Sequence, residues 1–175
     1  MTEILFGQAY YLRFDSKLHE NMQPYPPLGC LYAAAYLRAR DFEVAVFDAM
    51  LADSESEWEL SLEKNSPKYA VLYEDNFNYL SKMCLLRMRT AALKMIKMAK
   101  RKGCTVIVCG SDASDHVQKY MDEGADYILI GEGEETLGVL MDVLCGKIQT
   151  PLSQIDGLAF KDQPAIAHHG ENTIQ

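Results

Sequence analysis

The segment Thr105–Leu137 constrains the fold more than any other part of the sequence. It contains two short apolar runs, Thr105–Val108 and Tyr127–Ile130, separated by a polar segment with helical character. Gly110 follows the first run closely and Gly131 follows the second directly. Buried parallel strands that end in glycine-bearing loops are typical of α/β sheets, which bind ligands at those loops. The segment therefore predicts an α/β fold with its functional site at the carboxyl ends of the strands.

Three earlier apolar runs complete the predicted sheet: Glu3–Gly7, Glu43–Phe47 and Tyr69–Tyr73. Helical segments lie between the strands, and this alternation predicts a parallel sheet with right-handed crossovers. The pattern does not separate the two common doubly wound orders. We favour the flavodoxin-like, Rossmann-like order 2-1-3-4-5, because it needs only five strands.

The first long helix is predicted over Leu28–Arg40, opened by Pro26 and Pro27. Spacing places five of its residues on one apolar face: Leu28, Leu31, Tyr32, Ala35 and Tyr36.

We expect residues 1–150 to form the α/β domain. After Pro151 the character changes, and turn signals surround Leu158–Phe160 and Ala165–His168. This predicts a small β-hairpin or a linker over residues 151–175.

Composition excludes several classes of partner. The net charge is −8 and no basic stripe is present, so we expect no nucleic-acid partner. No apolar run reaches membrane-spanning length, and the first residues lack the basic and apolar parts of a secretory leader. The five cysteines form no CxxC pair, which favours free thiols in a cytoplasmic protein.

The sharpest local motif is Gly131-Glu132-Gly133, which leads into a helix beginning with Glu134 and Glu135. The glycines permit close approach of a ligand to the backbone. The acidic side chains would repel phosphate, and neither GxGxxG nor a P-loop lysine is present, which argues against a dinucleotide. A purely structural turn and a site for a neutral or weakly anionic ligand both stay open.

Two other strand ends carry candidate ligand contacts. Gly110 would let a flat ring lie against the backbone, and Ser111 would donate a hydrogen bond, although a simple turn explains both equally well. The segment Tyr73–Tyr79 gathers carboxylates, amides and aromatic rings that core packing does not require. No nucleophile or metal-ligand set accompanies them, so we favour ligand contact over catalysis.

Several pieces of this sequence resemble the N-terminal cobalamin-binding domain of cobalamin-dependent radical S-adenosylmethionine enzymes. The matching pieces are Pro26–Gly29, Tyr32–Leu37, Glu43–Asp48, Cys109–Gly110, Gly124–Tyr127 and Gly131–Leu137, and Ile155–Phe160 resembles the exit toward the radical domain. The resemblance covers about the first 160 residues. It implies a corrinoid over the carboxyl ends of the strands, with its nucleotide tail reaching down near Gly110 and Ser111. The implied binding residues are Gln8, Ala9, Tyr73, Glu74, Asp75, Asn76, Gly110, Ser111, Gly131, Glu132 and Gly133.

The sequence departs from the family pattern in two places. The Asp-x-His-x-x-Gly motif of histidine-ligated cobalamin domains is replaced by Asp15 and His19 at a different spacing, which leaves His19 as a candidate axial cobalt ligand. Cys109 stands where the family usually has glycine. The CxxxCxxC spacing that holds a 4Fe-4S cluster is absent, so this cluster and S-adenosylmethionine would belong to a downstream radical domain.

The resulting prediction is a cobalamin-binding module of a radical enzyme that catalyses methyl transfer or related chemistry, with no catalysis by this chain alone. One alternative is a scaffold of the same fold without the cofactor. A second is a flavin-binding or receiver-like module. Gln8 after the first strand, in place of an acidic pair, and the Tyr-rich loop that follows argue against this second alternative.

Overall fold

The structure is a computed structural model that describes residues 2–74 and 85–161. Its six strands are β1 (Ile4–Gly7), β2 (Val44–Val46), β3 (Tyr69–Tyr73), β4 (Thr105–Cys109), β5 (Tyr127–Leu129) and β6 (Leu158–Phe160). Its α-helices are α1 (Ser16–Glu20), α2 (Leu28–Arg38), α3 (Ser56–Asn65), α4 (Leu85–Arg101), α5 (Ser111–Asp115), α6 (Val117–Asp122) and α7 (Gly133–Leu144).

One sheet runs through the molecule in the order β2-β1-β3-β4-β5-β6. The first five strands pair in parallel, which confirms the predicted order 2-1-3-4-5 and the α/β class. Tyr73 at the end of β3 lies beside Cys109 at the end of β4, and Cys109 lies beside Leu129 of β5. The loops that follow these three strands therefore meet at one edge.

The described part of the C-terminal segment adds a sixth strand to the sheet. Leu158–Phe160 pairs antiparallel with β5, with Leu158 opposite Leu129. Ile155 and Leu158 are buried in the same core cluster as Leu129, so burial as well as strand pairing holds this segment against the sheet. The strand also covers an edge of β5 that would otherwise be open to pairing. The other predicted arm, Ala165–His168, lies outside the described residues.

Two apolar cores flank the sheet, as a doubly wound fold requires. Leu5 faces a core that holds Trp58 of α3 and Met95 of α4. The alternate positions Ile4 and Phe6 face the other core, which α2 and α7 cover. Trp58 is fully buried, and its indole N–H donates to the Met95 carbonyl at 3.1 Å.

Helix α2 turns a different face to the core from the one that spacing predicts. Its fully or nearly fully buried residues are Cys30, Ala33, Ala34 and Leu37. Leu28 and Tyr32 are each 67% exposed. Small side chains let α2 lie close to the sheet, and this close approach selects Cys30 and the alanines over the larger residues for the buried face.

Two connections contain short helical elements. The connection between β1 and α2 includes a 3-10 turn at Leu12–Phe14 and helix α1. The polar segment between β4 and β5 forms two helices, α5 and α6, interrupted at His116. Among the residues described, no helix is long and apolar enough to cross a membrane.

Candidate functional site

A cavity of about 580 Å³ opens at the carboxyl edge of the sheet. It lies between the N-terminus of α2 and the loops that follow β3, β4 and β5. Its lining residues are Gly29, Tyr73, Glu74, Cys109, Ser111, Ser114, Asp115, Gly131, Glu132 and Glu134. A concave site at this edge is where open α/β sheets place their ligands.

The structure brings a subset of the predicted site residues into this cavity. Five of them line it: Tyr73, Glu74, Ser111, Gly131 and Glu132. Gly110 follows β4 and Gly133 begins α7, but neither lines the cavity. Gln8 and Ala9 are buried directly after β1. Asp75 and Asn76 lie outside the described residues.

Five lining residues were not among the predicted site residues: Gly29, Cys109, Ser114, Asp115 and Glu134. Gly29 and Glu134 belong to the PPLG and GEGE motifs, so those motifs contained a usable signal. Ser114 and Asp115 reach the cavity because α5 begins at Ser111, directly after Gly110.

Glu74 covers the carboxyl ends of three adjacent strands. Its carboxylate accepts hydrogen bonds from the Ala9 backbone N–H, at 3.0 Å to Oε1 and 3.2 Å to Oε2. Its own N–H donates to the Cys109 carbonyl at 2.8 Å. A Cβ on Gly110 would lie 2.7 Å from the Glu74 Cβ, and Gly110 has a φ of 154°. Glycine at position 110 thus makes room for the Glu74 side chain.

Tyr73 and Cys109 form an uncharged part of the cavity wall. Burial is the main cause that raises the pKa of the Tyr73 hydroxyl, and a hydrogen bond with Glu134 adds to the effect. Burial likewise raises the pKa of the Cys109 thiol to about 12, although its hydrogen bond with Tyr73 opposes this. Since the thiolate is the nucleophile, this raised pKa disfavours a nucleophilic role for Cys109 at neutral pH.

Gly133 allows the α7 N-terminus to approach this wall. A Cβ there would lie 2.5 Å from the Cys109 Sγ and 3.3 Å from the Tyr73 hydroxyl oxygen. Gly131, two residues earlier, has a φ of 84°, and a Cβ there would have no atom within 4 Å. The backbone at Gly131 therefore faces open space at the mouth of the cavity.

Asp112 anchors the loop after β4 to helix α4. Its carboxylate accepts two hydrogen bonds from the Arg89 guanidinium, one from Nε at 2.7 Å and a shorter one from an NH2 group. The Tyr120 hydroxyl donates to the same carboxylate at 2.7 Å. Burial opposes ionisation of Asp112, but the bonds from Arg89 and Tyr120 prevail and lower its pKa.

The cavity has a strongly acidic lining. Glu74, Asp115, Glu132 and Glu134 all contribute to it, and no lysine, arginine or histidine among residues 2–74 and 85–161 lines it. Carboxylates accept hydrogen bonds from amide and ammonium N–H groups and repel phosphate. This site suits a neutral, amide-bearing or cationic ligand.

Two further polar side chains among the predicted site residues, Gln8 and His19, follow β1 in the chain. The Gln8 Oε1 accepts a short hydrogen bond from the Tyr10 N–H, whereas the buried Gln8 Nε2 has no hydrogen-bond partner within the described residues. His19, the candidate cobalt ligand, lies exposed on α1 and is not a lining residue. Across residues 2–74 and 85–161, no group of three or more His, Cys, Asp or Glu side chains is arranged to hold a metal ion.

The fold and the cavity define an α/β, Rossmann-like protein with a ligand-sized site at the carboxyl edge of its sheet. No protein-family model matches the sequence, and no curated protein matches it. Solved structures with a similar fold include the cobalamin-dependent S-adenosylmethionine radical enzyme OxsB with aqua-cobalamin bound, with a TM-score of 0.65 and 17% identity. The apo form of OxsB gives a TM-score of 0.62 and 19% identity.

These matches cover 93% of this chain but 21% of the OxsB chain. The chain thus spans about a fifth of the length of the protein it matches. At this level of identity the similarity shows the fold.

Proposed function

We propose that this chain is a cobalamin-binding module of a radical S-adenosylmethionine enzyme. The observation that carries the proposal is the position of the cavity, at the edge where the loops after β3, β4 and β5 meet. The OxsB structures that share this fold include forms with aqua-cobalamin bound. In the proposal, the corrin ring lies over this edge.

The residues present fit the corrin ring. The ring carries amide side chains on its rim, and the carboxylates of Glu74, Glu132 and Glu134 are suitable acceptors for their N–H groups. The open backbone at Gly131 leaves room for close approach of a flat ligand. Tyr73 and Cys109 supply an uncharged surface beneath it.

The bound cofactor would supply methyl-transfer or related radical chemistry. The residues of this chain would bind and orient the ring, and the buried wall of Tyr73 and Cys109 would exclude water from one side of it. S-adenosylmethionine and a 4Fe-4S cluster would be held by a radical domain outside these 175 residues, the partner that we propose for this module. His19 stays a proposed axial cobalt ligand, although it does not line the cavity.

A second candidate is a scaffold of the same fold that binds no cofactor. One observation favours it: the side chains of Glu74 and Cys109 occupy space beside Gly110 and Gly133. The experiment below separates the two functions.

Equilibrium dialysis of hydroxocobalamin against the whole chain tests the proposal. Ser114→Trp places a large ring in the cavity lining, and we expect it to weaken binding at least about tenfold. Ser56→Trp, on the exposed start of α3, is the matched control and should bind as the wild type does. Absence of binding by the wild type at tens of micromolar cobalamin would favour the scaffold. In a binding protein, an unchanged visible spectrum after His19→Ala would exclude His19 as a cobalt ligand.

A further inference from the structure

The space along the strand ends next to Gly110 is already filled. Glu74 follows the central strand β3, and its side chain reaches both neighbours of that strand. Its carboxylate is held on the Ala9 N–H at the end of β1, while its Cβ lies where a side chain at Gly110, after β4, would be. A ligand group that descends past these strand ends meets Glu74.

The charge of the cavity lining also disfavours a phosphate-bearing group next to Gly110. Besides Glu74, the cavity is lined by Asp115, Glu132 and Glu134, and no basic residue of the described part of the chain lines it. Cobalamin has two chemically different parts: a corrin ring with neutral amides and a nucleotide tail joined through a phosphodiester. The acidic lining favours the first part and repels the second.

We propose that Glu74 makes this cavity selective for the corrin ring and excludes the phosphate-bearing nucleotide tail. The site would then take a corrinoid without a nucleotide, such as cobinamide, more tightly than cobalamin. When cobalamin binds, its tail lies outside the cavity. This inference rests on the proposed function, because it assigns a specificity to the same site.

Two physical effects contribute, and two substitutions separate them. Glu74→Gln keeps the size of the side chain and removes its charge. Glu74→Ala removes the charge and also opens the space beside Gly110. Glu135→Gln is the matched control, since Glu135 lies in the first turn of the same helix as Glu134 but is exposed and does not line the cavity.

The experiment is a visible-absorbance titration of the whole chain with dicyanocobinamide and with dicyanocobalamin. Both corrinoids then carry the same axial ligands and differ only in the nucleotide. We expect the wild type to bind dicyanocobinamide at least about tenfold more tightly than dicyanocobalamin. Glu74→Gln should narrow this preference, Glu74→Ala should abolish it, and Glu135→Gln should leave it unchanged.

Other outcomes overturn either the selectivity alone or both the selectivity and the proposed function. Tighter binding of dicyanocobalamin by the wild type, or an undiminished preference in both Glu74 variants, overturns the selectivity and leaves the proposed function intact. Binding of hydroxocobalamin but of neither dicyano form also overturns the selectivity and leaves the proposed function intact. Binding of no corrinoid at all overturns both proposals. Circular dichroism of each variant confirms that it is folded.

Discussion

The guanidinium of Arg89 and the carboxylate of Asp112 form a two-point ion pair between α4 and the start of α5. Their side chains are only 13% and 12% exposed. Ser111, which lines the cavity, directly precedes Asp112, so this pair holds a cavity wall in place. It joins two helices that lie in different crossovers of the sheet.

Loss of this pair should destabilise the protein. Arg89→Gln removes the ion-pair partner of the largely buried Asp112 carboxylate and leaves it the hydrogen bond from Tyr120. We expect the free energy of unfolding to fall by about 2–3 kcal/mol. Arg101→Gln is the control on the same helix, because its ion pair with Glu59 is 58% and 34% exposed and should contribute less than about 1 kcal/mol. Urea unfolding followed by the fluorescence of Trp58, the single tryptophan, measures both values. Equal effects of the two substitutions would contradict this description.

The same pair predicts a dependence of stability on pH. Asp112 has a lowered pKa in the folded protein, so it contributes stability at neutral pH. That contribution begins to disappear as the pH falls below the ordinary Asp value of about 4, where the unfolded chain takes up the proton first. Asp112→Asn should therefore be less stable than the wild type at pH 7, and the difference should shrink toward pH 3. A constant difference between urea midpoints at pH 7 and pH 3 would contradict the prediction.

The Cys109 thiol should be inert in the folded protein. Its pKa is raised to about 12 and its side chain is buried, so at pH 8 few molecules carry an accessible thiolate. We expect iodoacetamide to label Cys109 at least about 100-fold more slowly in buffer than in urea, with Cys145, which is less buried, labelled faster. Mass spectrometry of the labelled peptides gives both rates. Rapid labelling of Cys109 in the folded state would show that the reagent reaches this thiol and would contradict the prediction.

A methyl group at position 133 should clash with the cavity wall. Because the added Cβ would lie 2.5 Å from the Cys109 Sγ, Gly133→Ala should cost about 1–3 kcal/mol of stability. Cys109→Ala removes that sulfur, so the double variant should recover part of the loss. A double-mutant cycle from four urea titrations measures this coupling. Strictly additive effects would mean that the strain arises elsewhere, for instance at Leu129, whose Cδ1 lies 3.3 Å away from that Cβ.

The sequence was sufficient to predict the parallel sheet, because apolar runs that end at Gly110 and Gly131 have few other structural solutions. The spacing of apolar residues did not predict which face of α2 is buried, because close packing against the sheet selects small residues such as Ala33 and Ala34 over larger ones. Local pattern also gave no sign that Leu158–Phe160 would add to β5, a pairing between residues far apart in the chain.

For the candidate site, the glycine motifs indicated the edge of the sheet at which the cavity lies. The role of Glu74 depends on contacts across 65 positions to Ala9 and 36 to Gly110, and such contacts have no local signature. The same is true of Ser114 and Asp115, which reach the cavity only because α5 begins directly after Gly110.

The most direct test of the central claim is gel filtration of the whole chain after mixing with an equal amount of hydroxocobalamin at roughly 50 µM, with detection in the visible range. We expect the corrinoid colour to elute with the protein at close to one equivalent. Elution of all the colour with the small molecules, from a protein shown to be folded, would contradict the claim that this edge binds cobalamin.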